Sequence, residues 1–104
     1  MDTDKYKLVF LPTFEEDMNQ AVDYIALTLN NPDAADRLLE DVLHAIHERL
    51  KCPEAFEPWK SEKVRDQVYY RIYVRRYTVF YVVYDDVMEV RRFLYTPSNW
   101  KRKL

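Results

Sequence analysis

VYYRIYVRRYTVFYVVYDDVMEVRRFLY, residues 68–95, is the stretch that decides the fold. It is dominated by β-branched and aromatic residues, which suit a pleated, half-buried surface, and two polar breaks divide it. The division predicts three strands, Val68–Arg75, Tyr77–Tyr84 and Val87–Tyr95, joined near Arg75-Arg76 and Asp85-Asp86 as an antiparallel meander. The chain has no glycine. Tight type I′ or II′ turns are therefore not expected, and wider turns or bulges with Asp in the left-handed region are. Alternation separates Val68, Tyr70, Ile72 and Val74 from Tyr69, Arg71, Tyr73 and Arg75, giving one apolar face and one basic, aromatic face. The next strand is apolar on both faces and is expected to be central. The last is expected to offer Met88, Val90 and Leu94 to a helical layer and Arg91, Phe93 and Tyr95 to the other side.

Upstream, Tyr6–Leu11 reads as a first strand ended by Pro12. Thr13-Phe14-Glu15-Glu16 fits a capping box, so a helix is expected to start at Thr13 and to bury Phe14, Met18, Ala21, Val22, Ile25 and Leu29. Asn30-Asn31-Pro32 stops that helix and starts another, with Asn31 as cap and Pro32 in the first helical position. Ala35, Leu38, Leu39, Val42, Ile46 and Leu50 form the stripe of the second helix, which ends near Cys52-Pro53. Pro53 to Lys63, with Phe56 and Trp59, reads as a loop pinned by aromatics. The expected architecture is α+β. It consists of one N-terminal strand, an antiparallel helical hairpin and a three-stranded antiparallel meander, with the helices packed on one face of the sheet.

At 104 residues, with 48% hydrophobic and 15% aromatic content, the chain fills one core, so residues 1–104 are expected to form a single domain. A lone cysteine, Cys52, forms no intrachain disulfide and is expected to be a buried, inert thiol. The longest apolar run, Val79 to Tyr84, is far short of a membrane span, and a cytoplasmic protein is expected. Without glycine there is no phosphate-binding loop. His44 and His47 stand three apart on the second helix, but no third ligand accompanies them, so neither a metal nor any other cofactor is expected.

The net charge of −2 conceals a division. Residues 1–58 carry 5 Lys+Arg against 13 Asp+Glu, whereas residues 59–104 carry 11 against 5. Either the halves neutralise each other across the fold, or a basic surface meets a polyanion or an acidic partner. The candidate partner-binding surface is Arg71, Tyr73, Arg75, Arg91, Phe93 and Tyr95, continued in sequence by Trp100, Lys101, Arg102 and Lys103. Arginines there suit phosphates or carboxylates, and aromatic faces suit bases or apolar side chains. The structural alternative is that the aromatics simply support cross-strand pairs.

The element order resembles the RelE/ParE superfamily, the toxins of bacterial type II toxin–antitoxin modules that include plasmid-stabilisation systems. The resemblance rests on Tyr24-Ile25-Ala26, Asn31-Pro32-Asp33-Ala34-Ala35, Tyr77-Thr78-Val79-Phe80-Tyr81 and Arg92-Phe93-Leu94-Tyr95, and on the tail Ser98-Asn99-Trp100-Lys101. It implies a cognate antitoxin whose extended or helical segment wraps the toxin, and contact with operator DNA only through that antitoxin. RelE-like members cleave messenger RNA on the ribosome with basic and tyrosine side chains. By this resemblance, Tyr95, Arg71 and Lys101 are the candidates for such catalysis, with Glu89 a further proton carrier. The cleaving members carry arginines where this chain has Thr78 and Thr96-Pro97. ParE-like members lack that set and bind DNA gyrase, and the chain is closer to them; the further alternative is a degenerate toxin that only binds its antitoxin.

Overall fold

The computed structural model describes residues 5–56, 58 and 68–97. Its elements are β1 (Lys7–Phe10), α1 (Pro12–Asp23), a single π-helical turn (Tyr24–Thr28), α2 (Pro32–Arg49), β2 (Tyr70–Val74), β3 (Tyr77–Tyr84) and β4 (Val87–Tyr95). The sheet order is β1-β4-β3-β2. β1 runs parallel to β4, and the other two pairings are antiparallel. The α+β expectation holds, with both helices on one face.

α1 begins one residue before the expected start, with Leu11 as N-cap and no side-chain cap. Pro12 explains the difference: its ring presets a helical φ and it has no N–H to satisfy, so Thr13 falls inside the first turn and caps nothing. α2 starts as expected, the Asn31 side chain accepting from the Ala34 N–H at 3.1 Å with Pro32 behind it. Between the helices the Leu29 N–H reaches back five residues to the Tyr24 carbonyl, 3.0 Å away. This wide turn displaces the side chains that follow it from the helical stripe. Leu29, expected to be buried, is 55% exposed. Asn30 then takes a left-handed φ of 53°, which Asn tolerates at a helix end.

The core joins Phe14 and Met18 of α1 and Leu38, Val42 and Ile46 of α2 to Ile72, Val74, Val79, Tyr81, Met88, Val90 and Phe93 of the sheet. Leu39 stands at the edge of its stripe, partly in solvent rather than in the core. Val68 is exposed, just before the strand starts at Tyr70. Cys52 is exposed in the turn after α2, contrary to the buried thiol expected. Both hairpin connections are two-residue turns, since Val74 pairs with Tyr77 and Tyr84 with Val87. Wider connections were expected for want of glycine. Asp85 (φ 53°) takes the left-handed region as expected of an Asp there, and Arg75 (φ 56°) does so in the other turn, which lets both turns stay short without glycine.

The largest departure from simple alternation is a bulge. Tyr81 pairs with Val90 and Phe80 with Arg92, so Arg91 is an extra residue in β4. One inserted residue reverses the parity of everything after it. Phe93 therefore turns into the helix-side core, and Leu94 joins Tyr69, Phe80 and Val82 in a second buried cluster on the face without helices. The expected assignment of these two residues is thus exchanged.

Among the described residues no helix is long and apolar enough to cross a membrane.

Candidate functional site, a groove beside the helical hairpin

β1 ends at Phe10 while β4 continues to Tyr95, so among the described residues the far half of β4 has no strand neighbour on that side. α1 supplies one. The Asp17 carboxylate accepts from the Phe93 N–H at 3.0 Å and from Arg92 Nε and Nη2 at 2.7 and 3.0 Å. A two-point guanidinium pair of this kind fixes direction as well as distance. It also raises the pKa of Arg92, the hydrogen bond to Asp17 being the main cause. The pair sets the separation between the helices and the end of the sheet.

That separation leaves an open groove of about 1020 Å³. Its apolar walls include Ile25, Leu29, Leu38, Tyr77 and Phe93, with Arg75, Arg76 and Tyr95 at one end. Phe93 and Tyr77 stack at 4.6 Å, and Tyr95 meets Tyr77 edge-on at 5.6 Å. Burial, and after it the neighbouring Tyr95, pushes the Tyr77 phenol above its ordinary pKa, so it stays neutral. Arg75 Nε and Nη2 bind Asp41 of α2 at 2.9 and 2.5 Å, and the Arg76 guanidinium lies 5.6 Å over the Tyr95 ring. The groove thus combines an apolar floor with cationic and aromatic side chains at its rim.

The residues grouped by sequence alternation are thereby divided. Arg71 and Tyr73 remain on the helix-free face, opposite Phe80 and Thr78, with the Arg71 guanidinium 5.7 Å from the Tyr73 ring. Tyr73 is 60% exposed. Arg91 shares that side, bound to Glu89 Oε1 at 2.8 Å and to the Tyr69 hydroxyl at 3.4 Å. Tyr95 lies on the helix side opposite Tyr77, and Arg75 turns to the helices through its left-handed backbone. Phe93 is buried at 2% and belongs to the core rather than to the basic face where alternation puts it. Trp100, Lys101, Arg102 and Lys103, like Trp59, lie outside the described residues.

Three features of this region escaped sequence reasoning. The π turn presents Tyr24, at 52% exposure, beside the groove. Arg76 joins Tyr95, and Asp17 joins Arg92 across 75 residues of chain. The excess of aromatic residues among 69–95 hinted at the Arg76–Tyr95 contact, but nothing local announces the turn at Tyr24 or the pairing of Asp17 with Arg92. His44 and His47 are exposed on α2, the latter with Nδ1 2.8 Å from the Leu43 carbonyl. Below the helices, Arg49 lies 3.6 Å from the Phe56 ring centre and donates to the Tyr81 hydroxyl, which itself donates to the Pro53 carbonyl. This contact pins the start of the loop after α2.

Thr78 is fully buried, and its Oγ1 lies 2.7 Å from that of Thr96. Two positions at which the resemblance implies arginine in RNA-cleaving members thus adjoin one another in space and hold a neutral hydroxyl pair.

No curated protein matches the chain in sequence. Among solved structures it is similar to a chain described as "Chromosomal ParDE TA system from P. aeruginosa", with a TM-score of 0.69 at 14% identity, over 88% of this chain and 97% of that one. At that identity the likeness is one of fold. A family model for the ParE toxin of the type II toxin-antitoxin system parDE matches residues 8–100, from β1 through the helices and meander. The chain therefore belongs to the ParE toxin family of type II toxin–antitoxin systems.

Proposed function

We propose that this chain arrests bacterial growth by binding DNA gyrase, and that a cognate antitoxin neutralises it. The observation carrying the choice of target is the Thr78–Thr96 pair. Its two hydroxyls are bonded to each other where cleaving members of the superfamily need charged side chains to stabilise added phosphate charge. Residues 68–97 also contain no histidine for proton transfer. The chemistry that remains is binding. Arg71, Tyr73 and Arg91 on the helix-free face, and Arg75, Arg76 and Tyr95 at the groove, are the side chains we assign to partners. Trp100, Lys101 and Arg102 extend this basic set in sequence. The antitoxin's amphipathic segment is assigned to the groove, its acidic side chains meeting the arginine rim, and operator DNA is reached only through that antitoxin.

Induction of the chain in bacteria tests the reading, with plasmid supercoiling, DNA damage and messenger 5′ ends followed together. Altered supercoiling and damage with intact messages are expected, and co-expression of a small neighbouring antitoxin gene should restore growth. New messenger ends at unchanged supercoiling would refute the gyrase assignment. Ribosome-dependent cleavage by the purified chain, lost in Tyr95→Phe, would move Tyr95 into a catalytic role.

A further inference from the structure

The helical hairpin has a second surface that the toxin reading does not use. On the outer side of α1 and α2 a smaller groove of about 330 Å³ is floored by Phe10, Phe14, Met18, Leu39 and Leu43. It shares no lining residue with the groove at the end of the sheet. Leu39 and Leu43 lie one turn apart on α2 and keep 37% and 36% of their surface in solvent. Each has an exposed carboxylate three residues before it, Asp36 and Glu40, while Glu15 lines the α1 side.

Three other acids of the hairpin are matched, Asp17 with Arg92, Asp41 with Arg75 and Glu48 with Lys51, while Glu16, Asp23 and Asp33 join none of the ion pairs among the described residues. None of the ion pairs among the described residues involves Glu15, Asp36 or Glu40. Among the described residues that line this groove none is basic. The result is an apolar floor with an acidic rim, the reverse of the polarity at the arginine-rimmed groove. Twofold pairing with a second copy would bring these carboxylates against their own equivalents and remove them from water, so the self-complementary occupant is disfavoured.

We propose that this outer groove of the hairpin docks a basic amphipathic segment of a partner protein, its apolar side chains on Leu39 and Leu43 and its lysines or arginines against Glu15, Asp36 and Glu40. Two helices side by side present the kind of trough into which a third helix packs, with anchors at spacings of three and four.

The probe is a fluorescein-labelled 18-residue helical peptide of leucine and lysine, titrated against the full chain by anisotropy and followed by amide hydrogen exchange. Saturable binding that weakens with salt is expected, with exchange slowed in residues 14–22 and 36–47. The double variant Leu39→Asp/Leu43→Asp discriminates because it adds negative charge while removing the apolar floor. Docking predicts at least a tenfold weaker Kd. Attraction to a general polyanionic surface predicts an equal or tighter one, and that result would overturn the proposal. Should the double variant melt early, the unmodified chain still decides: protection confined to residues 70–77 or 91–95 refutes the assignment. So does concentration-dependent self-protection of 36–47 without peptide, which would make a second copy the occupant.

Discussion

Asp17 ties α1 to β4 at the main groove, and its removal is a quantitative test of how the helices are held to the sheet. Asp17→Ala deletes both hydrogen bonds to Arg92 and leaves the Phe93 N–H without its acceptor. Fully buried ion pairs cost about 3–5 kcal/mol when one partner is lost, whereas exposed pairs are worth about 0.2–1 kcal/mol. Side-chain exposures of 23% for Arg92 and 11% for Asp17 place this pair between those limits. The orphaned backbone donor adds about 1–3 kcal/mol where water cannot reach it. A total of about 2–4 kcal/mol follows, or a fall in Tm of roughly 10–25 °C for a chain of this size. Asp17→Asn keeps an acceptor for the Phe93 N–H and loses only the charge, so about half that loss is expected. Urea denaturation followed by circular dichroism gives both values. A double-mutant cycle with Arg92→Ala should return a coupling of about 1–2 kcal/mol. Coupling below about 0.5 kcal/mol, or an Asp17→Ala chain as stable as its parent, would mean that the pair is a solvated surface contact and that the groove is held open by apolar packing alone.

Phe93→Ala should cost about 3–5 kcal/mol by opening a cavity beside Tyr77 and Phe14, while Tyr73→Ala on the exposed face should cost about 0.5 kcal/mol or less; equal effects in urea melts would contradict the bulge-set parity. Tyr81 titrates above its ordinary pKa of 10.0, burial being the main cause, so its folded-state contribution is intact below pH 10 and is lost as pH climbs through the raised value. Tyr81→Phe should flatten that alkaline decline in stability, and at neutral pH should cost about 1–3 kcal/mol by stripping partners from Arg49 and the Pro53 carbonyl. Asn31→Ala removes the side-chain cap of α2 and should cost about 1 kcal/mol, measurable as a lower Tm with unchanged toxicity at permissive temperature.

The element order was legible in the sequence because each element carries its own local physics. β-branched and aromatic runs mark β3 and β4 within the bounds the structure shows, the Asn31-Pro32 pair marks the start of α2, and the apolar stripe of Leu38, Val42 and Ile46 marks its buried side. The likeness to ParE toxins was legible for the same reason, since it rests on motifs that are contiguous in the chain. What the sequence did not disclose are choices made between distant segments. Arg91 is the bulged residue where the pairing of β4 with β3 shifts register, and that single insertion sends Phe93 inward and Leu94 outward. The partnership of Asp17 with Arg92 spans 75 residues and follows from where β1 ends, not from any neighbouring residue. Alternation along one strand places residues on a face only while the pairing register runs without interruption. The basic face that it assembled was divided by a bulge and a left-handed turn, both selected by the energy of the paired sheet and not by the strand alone.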